Sequence, residues 1–226
     1  MGVHLRLEYP HFRNLQPRYL TNPRVEELAW QVRLQLGCAE TRYLKFPLDL
    51  LFSIDQATVN GLRVTFRWEI EEAIQDEQGV PVLGVCDCDP EEMPDSIMLS
   101  ANSGMIGKFE ALLRSVLVHE LGHAVCDGPG WLIAYRSATL SGGSPSGMRA
   151  LIPDERHLFL GGDAASKFAE FRANMFMGAF LVPQPLVLDP LRYYARKLEI
   201  PVIEAPALSA RRHAETLGGA LSPHYA

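Results

Sequence analysis

The sequence predicts an α+β fold, in which a small sheet is followed by helices. Between residues 62 and 70, apolar and polar side chains alternate, as they do on a half-buried strand. The runs 107–126 and 164–181 carry apolar residues at spacings of three and four, which is typical of buried helices. With 226 residues, the chain is long enough for one domain with a well-buried core.

Local signals predict the remaining N-terminal elements in order. Asn22-Pro23 predicts a helix start, because proline fits the first helical position, and Gly37 closes that helix. Pro47 opens a second, short helix. Residues 82–86 and 96–99 are typical of two further short strands. The apolar stripe of the first helix consists of Val25, Leu28, Ala29, Val32 and Leu36.

The C-terminal half is expected to continue with helices. Residues 186–198 predict one helix after Pro183, and residues 209–217 predict a terminal helix. We therefore expect a single domain over residues 1–226. Its parts are N-terminal helices at 1–58, a core at 59–183 and a helical appendage at 184–226. The stripe expected to be buried on the run 164–181 consists of Phe168, Phe171, Met175, Phe176 and Ala179.

Residues 119–123 spell H-E-x-x-H within the apolar run 107–126. Positions i and i+4 share one face of an α-helix, so the imidazoles of His119 and His123 can reach one metal ion. Glu120 lies beside them, where it can act on a water at the metal. Buried polar groups are costly unless they are bonded or coordinated. A metal therefore explains these residues better than a chance match.

Glycines inside this helix and at its end indicate a close packing contact and a helix stop. Gly122 costs roughly 1 kcal/mol relative to alanine inside a helix, which indicates that another backbone element packs closely there. Asp127-Gly128-Pro129-Gly130 is a strong stop signal. The following stretch, 128–162, is rich in glycine and serine around 142–147, and we expect it to be a lid, a substrate loop or a partly disordered loop.

A catalytic zinc takes three protein ligands and a water, so one more ligand is expected downstream. Glu170 is the leading candidate, because it lies in the apolar helical run 164–181. Alternatively, Glu170 is a solvated charge on the outer face of the helix, where it pairs with Lys167 or Arg172. His157 gives a three-histidine site instead. The other downstream candidates are Asp154, Glu155 and Asp163.

Two segments of the chain match one known pattern. Residues 114–123 spell R-S-V-L-V-H-E-L-G-H, and residues 170–183 spell E-F-R-A-N-M-F-M-G-A-F-L-V-P. They resemble the ImmA/IrrE-type metallopeptidases, zinc proteins of the gluzincin kind. That family has an arginine five residues before H-E-x-x-H, then E-x-x-A-N-x-F-x-x-x-L-L-x-P, with phenylalanine replacing the first leucine here. Residues 46–50 and 61–64 look like the family's proline-led helix followed by a glycine and a strand, so the resemblance spans about residues 44–183.

The resemblance implies a zincin-like fold and a zinc endopeptidase. It makes Glu170 the third ligand beside His119 and His123, with one zinc ion per chain. Zinc activates a water, and Glu120 takes the proton of that water and passes it to the leaving nitrogen. Members of the family typically cleave a helix-turn-helix transcriptional repressor in a stress or mobile-element switch. Such a repressor is therefore the expected partner.

The substrate site has two further predicted parts. In such peptidases the strand before the metal helix is an edge that pairs with an extended substrate. The predicted edge strand consists of Ile97, Met98, Leu99 and Ser100. The developing oxyanion also needs one donor besides zinc. The candidates for that donor are Tyr135, His157, Arg172 and His213.

Charge and composition argue against several classes of protein. A formal net charge of −6 gives no general footprint for nucleic-acid binding. The start of the chain lacks the apolar core of a signal peptide, and no run approaches the ~20 apolar residues of a membrane span. Arg6 stands where a myristoylation pattern requires serine or threonine. We therefore expect a cytoplasmic protein that binds no membrane.

The four cysteines do not form a recognisable metal motif. Cys86-Asp-Cys88 is C-x-C and differs from the C-x₂-C of zinc ribbons, and Cys38 and Cys126 have no motif partners. Reduced, partly buried thiols are the expectation for a cytosolic protein. Cys126 lies three residues after His123, and we interpret it as a packing residue.

Two rival functions remain compatible with these residues. The first is a zinc-containing protein that binds a partner through the same groove without cleaving it. Glu120 argues against it, because a structural site needs no base and usually closes its fourth position with a protein ligand. The second is an iron protein for oxygen chemistry, since two histidines and a carboxylate also bind iron. The helical H-E-x-x-H spacing makes that option the weaker one.

Overall fold

The computed structural model describes residues 2–10, 20–40, 43, 45–76, 79–88, 95–140, 148–151 and 164–199. Within these ranges, six strands form one mixed sheet and seven helices accompany it, which confirms the α+β prediction. In chain order the elements are β1 Val3–Leu7, α1 Asn22–Gln35, α2 Leu48–Phe52, β2 Ile54–Val59, β3 Leu62–Glu71, β4 Gly84–Cys88, β5 Ser96–Asn102, α3 Ser103–Ile106, α4 Glu110–Cys126, α5 Gly128–Leu140, β6 Met148–Leu151, α6 Ala164–Leu181 and α7 Gln184–Lys197.

The strand order in the sheet is β1-β2-β3-β5-β4-β6. The pairs β1–β2 and β3–β5 are parallel, and the other neighbouring pairs are antiparallel. Helix α4 packs on β4 and β5, and α6 packs on both α4 and α1. The helix that carries H-E-x-x-H is therefore enclosed between the sheet and α6, which explains why it is apolar on nearly every side.

The N-terminal region differs from the prediction of helices alone over residues 1–58. Strand β1 and all but the last residue of β2 lie in this region, and the two strands pair in parallel. Leu5 and Leu7 of β1 are buried, whereas His4 and Arg6, which alternate with them, are exposed. Five residues with this alternation are stabilised by a partner strand some fifty residues away, so a strand forms where a local pattern gives only a weak signal.

The prediction that residues 97–100 form an edge strand of the sheet is wrong. Ile97, Met98, Leu99 and Ser100 lie in β5, which is an interior strand of the sheet. Leu99, for example, is paired with Trp68 of β3 on one side and with Cys86 of β4 on the other. Met98, Leu99 and Ser100 are thus paired on both sides, and their backbone is not available to pair with a substrate. The outer side of β4 is in turn paired with β6.

Helix α6 has the predicted bounds, Ala164–Leu181, but its buried face is rotated from the predicted stripe. Phe176 is fully buried, whereas Phe168 and Phe171 are 61% and 50% exposed. The face that meets the core carries Arg172, Ala173, Phe176 and Phe180 instead. The sequence pattern missed this rotation because the core also accommodates the charged side chain of Arg172.

The predicted helix stop after Cys126 produces only a short break. Helix α5 begins at Gly128, and the amide of Trp131 donates to the Asp127 carbonyl at 3.1 Å. Pro129 falls in the first turn of α5, where its missing N–H costs nothing. The expectation of a loop is therefore wrong for residues 128–140. Residues 141–147, 152–163 and the predicted terminal helix at 209–217 lie outside the described residues.

The first helix has the predicted core stripe together with a buried arginine that the pattern did not reveal. Arg33 is 0% exposed, and it donates to the carbonyls of Cys38 at 3.2 Å and Phe180 at 2.6 Å, as well as to that of Tyr43. Its guanidinium also lies 5.3 Å from the ring centre of Phe46. Arg33 therefore binds the C-terminal end of α6 to α1.

All four cysteines are free, as predicted, and they are more deeply buried than the prediction of partly buried thiols. Among the described residues, no helix has both the length and the apolar character needed to cross a lipid bilayer. Helix α7, at Gln184–Lys197, confirms the helix predicted after Pro183.

Candidate metal centre

Helix α4 presents two imidazoles on one face. His119 and His123 are 3% and 0% exposed, and their Nε2 atoms lie 3.0 Å apart. The i, i+4 spacing brings the rings together, with ring centres 4.8 Å apart. Their Nε2 atoms therefore face a common point, as the sequence pattern predicts.

Glu170 reaches the same point from α6. Its Oε1 lies 3.3 Å from His123 Nε2, and its Oε2 lies 3.4 Å from His119 Nε2. Among the described residues, these three side chains are the one group of histidine, cysteine and acidic residues that can hold a metal ion. The rival candidates Asp154, Glu155, His157 and Asp163 lie outside the described residues.

The close contact between α4 and α6 is set by Gly122. A Cβ atom added at position 122 would lie 3.0 Å from Ala173 Cα and 3.2 Å from Ala173 O. A side chain at that position would therefore hold the two helices apart. This confirms the prediction that a backbone element packs against Gly122, and α6 is that element.

The spacing of the donor atoms fits a small tetrahedral metal ion. Ligand bonds of about 2.0–2.1 Å at tetrahedral angles place ligand atoms about 3.3 to 3.4 Å apart. The two Nε2 atoms are 3.0 Å apart, and each lies 3.3 or 3.4 Å from its own oxygen of Glu170, so each of these pairs is close to that spacing. Two neutral imidazoles and a carboxylate also form a donor set that leaves a fourth position open.

Glu120 lies deep in the protein next to this group. Its side chain is 0% exposed, and neither carboxylate oxygen has a hydrogen-bond partner. Burial raises the pKa of Glu120 well above its usual value, and the nearby charge of Glu170 adds to this effect, while His123 opposes it. A buried carboxylate without partners is costly. The burial of Glu120 is explained if its carboxylate faces a water and a cation in the metal-bound protein.

Gly84 of β4 makes room for this carboxylate, and the sequence-based prediction did not include it. A Cβ atom at position 84 would lie 2.6 Å from Glu120 Oε1 and 2.5 Å from Val116 Cγ1. Any side chain at this position would thus displace Glu120. A glycine within a strand often marks such a close approach, and that was the available signal.

The charges of the three candidate ligands depend on one another. Burial lowers the pKa of His119. Burial also lowers the pKa of His123, but the carboxylates of Asp127 and Glu170 outweigh burial and raise it to about 10. For Glu170, burial raises the pKa, yet the two histidines outweigh it and bring the pKa to about 2. Without a metal, Glu170 is therefore ionised and His123 protonated at neutral pH, and a metal ion that bound here would displace the proton of His123.

A second layer of residues surrounds His123. Its Nδ1 atom lies 3.8 Å from Asp127 Oδ2, and Arg172 donates a hydrogen bond to Asp127 Oδ1. The ring of Trp131 stacks on His123, with ring centres 6.2 Å apart. The sequence-based prediction missed the role of Asp127 and treated it only as part of a helix stop. Its position four residues after His123 was the available signal.

The candidate oxyanion donors fall in different parts of the chain. The guanidinium of Arg172 is bound to Asp127, on the Nδ1 side of His123 and away from the Nε2 atoms that face the candidate metal position. Asp127 uses only Nη2 of this guanidinium, so the role of Arg172 as an oxyanion donor stays a prediction. Tyr135 lies in α5, and its side chain lies outside the described part. His157 and His213 also lie outside the described residues.

Comparison of the chain with protein-family models, curated proteins and solved structures gave no match. The resemblance to ImmA/IrrE-type metallopeptidases thus rests on the residues of the two motifs, 114–123 and 170–183.

Proposed function

We propose that this chain is a zinc-dependent endopeptidase with a zincin-like fold. One observation carries the proposal: Glu120 lies buried and without a hydrogen-bond partner beside the group formed by His119, His123 and Glu170. A group that held a metal only for structural reasons would have no need of an extra carboxylate at that position. Two imidazoles, one carboxylate and a nearby base are the composition of a hydrolytic metal site.

The nature of the donors favours zinc. Imidazole nitrogens suit zinc, copper, iron and nickel, whereas magnesium and calcium prefer oxygen ligands. Two nitrogens and one carboxylate at near-tetrahedral spacing favour zinc among these ions. When bound, zinc supplies Lewis acidity that activates a water near neutral pH and polarises a carbonyl.

The chain's own residues perform the proton transfers in this proposal. His119, His123 and Glu170 hold the ion in place, and the close contact at Gly122 fixes the separation of the two helices that carry them. A carboxylate oxygen of Glu120 takes a proton from the attacking water. The same oxygen then gives this proton to the nitrogen of the leaving amine as the peptide bond breaks.

The proposed substrate is a protein, and the resemblance points to a helix-turn-helix transcriptional repressor. This assignment comes from the family pattern and not from the geometry of the site. The chain's own net charge of −6 fits a protein that acts on a DNA-binding partner rather than on DNA.

The alternative is a protein that binds the same partner without cleaving it. The observation that favours it is burial, since His119, Glu120 and His123 are each 3% exposed or less, and only Glu170 is partly exposed, at 23% of its side chain. A partner that docks over Glu170 without opening the site further would leave Glu120 unused.

Glu120→Gln separates the two functions. The substitution preserves volume but removes the proton acceptor, so we expect the cleavage rate to fall about 10²–10⁴-fold. Zinc content and partner binding should be retained, because Glu120 is not among the three side chains whose donor atoms meet. The protein would be co-expressed with a candidate repressor, and repressor fragments followed by mass spectrometry.

Glu69→Gln is the matched control. Glu69 is exposed on β3 and lies outside the metal group, so this variant should cleave at the wild-type rate. Cleavage by the wild type and the control, lost in Glu120→Gln with zinc retained, supports the peptidase. An intact repressor bound equally by all three zinc-loaded proteins would favour the non-cleaving alternative.

A further inference from the structure

The second ring nitrogen of His123 faces an acid. His123 Nδ1 is buried and has no hydrogen-bond partner, and Asp127 Oδ2, 3.8 Å away, is also buried and without a partner. The amide of Asp127 donates to the His123 carbonyl at 2.8 Å, which holds the two residues one helical turn apart. A side-chain movement of about 1 Å therefore closes the gap to a hydrogen bond.

Arg172 fixes the orientation of that acid. Its Nη2 donates to Asp127 Oδ1, and both side chains are almost fully buried, at 10% and 5% exposure. With Oδ1 held by Arg172, Oδ2 is the oxygen directed to His123. Arg172 lies two residues after Glu170 on α6, so the helix that supplies the third candidate ligand also holds the partner of the second.

The charges of this region support the same arrangement. Three carboxylates lie together at the junction of α4 and α6, those of Glu120, Asp127 and Glu170, and Arg172 supplies one positive charge. A divalent ion at the histidines would add positive charge to a region where acidic side chains outnumber the one arginine. Buried charges are tolerated when they are paired in this way.

We propose that Asp127, oriented by Arg172, is a positioning residue for His123. It accepts the Nδ1 proton of His123, which fixes the ring so that the Nε2 lone pair points to the metal. Ligand histidines commonly donate their other N–H to a carboxylate, and loss of that partner typically weakens metal binding about 10–100-fold. This inference rests on the metal site of the proposed function and requires no peptidase activity.

The test measures zinc affinity, by competition with a chromogenic chelator, in wild type, Asp127→Asn and the control Glu110→Gln. Glu110 forms an ion pair with the buried Arg114 on the same helix and has no contact with a histidine in the described structure. We expect Asp127→Asn to raise the zinc Kd about 10–100-fold and Glu110→Gln to leave it unchanged. The melting temperature of each zinc-free protein separates loss of stability from loss of affinity.

Two further measurements make the test decisive. Histidine ¹⁵N NMR of the zinc-loaded wild type should show His123 protonated at Nδ1, with that signal changed in Asp127→Asn. Arg172→Gln should also weaken zinc binding. The variant that carries both substitutions should lose less zinc-binding free energy than the sum of the two single losses, because both residues act on one contact. If Asp127→Asn does not fold, Arg172→Gln provides the same comparison.

The outcomes distinguish this inference from the proposed function. A lower melting temperature with an unchanged zinc Kd in Asp127→Asn makes the pair with Arg172 a purely structural link and overturns the inference, while the peptidase proposal stands. Weakened zinc binding in a protein whose wild type cleaves no repressor upholds the inference and counts against the peptidase. A wild type that binds no zinc overturns both.

Discussion

Replacing Gly122 with alanine tests whether the contact between α4 and α6 sets the geometry of the metal site. The added Cβ would lie 3.0 Å from Ala173 Cα and 3.2 Å from Phe176 Cβ. Non-bonded carbon atoms rest at about 3.5–4.0 Å from each other, so the two helices must separate by a few tenths of an ångström. Backbone atoms of α6 form part of this contact, and they cannot rotate away as a flexible side chain can.

This separation acts directly on the donor atoms. Glu170 lies one turn before Ala173, and the two histidines flank Gly122, so the distances of 3.3 and 3.4 Å between Glu170 and the imidazoles increase together. Metal sites tolerate deviations of about 0.2 Å in ligand distance. We therefore expect zinc affinity to fall about tenfold or more. The free energy of unfolding of the zinc-free protein should change little. The cost of overpacking, about 1–3 kcal/mol, is offset by about 1 kcal/mol of helix propensity.

Gly178→Ala is the matched control for this experiment. Gly178 also lies in α6, but a Cβ atom added there meets nothing within 4 Å. It should gain helix propensity, raise the melting temperature by about 2–4 °C and leave zinc affinity unchanged. Both variants would be titrated with zinc against a chelator and melted without zinc. A wild-type zinc Kd in Gly122→Ala would refute the reasoning, because it would mean that the site adapts to a wider separation of the helices.

Two other properties can be measured on the purified protein. Elemental analysis should find about one zinc ion per chain, and His119→Ala or Glu170→Ala should lose it, because each removes one of three ligands. Full zinc occupancy in Glu170→Ala would place the third ligand elsewhere and make His157 the next residue to replace. Burial raises the pKa of the Cys86 and Cys126 thiols, so all four buried thiols should resist a disulfide reagent at mildly alkaline pH until denaturant is added. Rapid labelling of the native protein would contradict this expectation.

The candidate site was largely predictable, because its geometry follows from helical spacing. The separation of His119 and His123 by four residues places both imidazoles on one face whatever the rest of the fold does. The apolar run 164–181 indicated a buried helix, and its observed bounds are the same. A carboxylate on a buried helix must find a partner, which made Glu170 the leading candidate among several residues, and the family resemblance then selected it.

The sheet was less predictable, since strand order depends on distant segments. The pattern at 96–99 correctly indicated a strand, but it contained no information on neighbours, and β5 is paired on both sides. The short strand β1 owes its stability to β2. Gly84 and Asp127 have roles that emerge only when β4 and α6 pack against α4. Each of these features depends on tertiary contacts, which a local pattern does not encode.

The contact at Gly122 has an evolutionary consequence. Two helices that meet backbone to backbone hold the candidate ligands together, so the chain that joins them can change in length wherever it leaves Asp127, Trp131 and β6 in place. Closing a longer loop costs little, about 0.6 kcal/mol for each doubling of its length. Insertions and deletions in this connection can therefore accumulate in descendants of this chain. They would alter what reaches the site while the three side chains that form it keep their places.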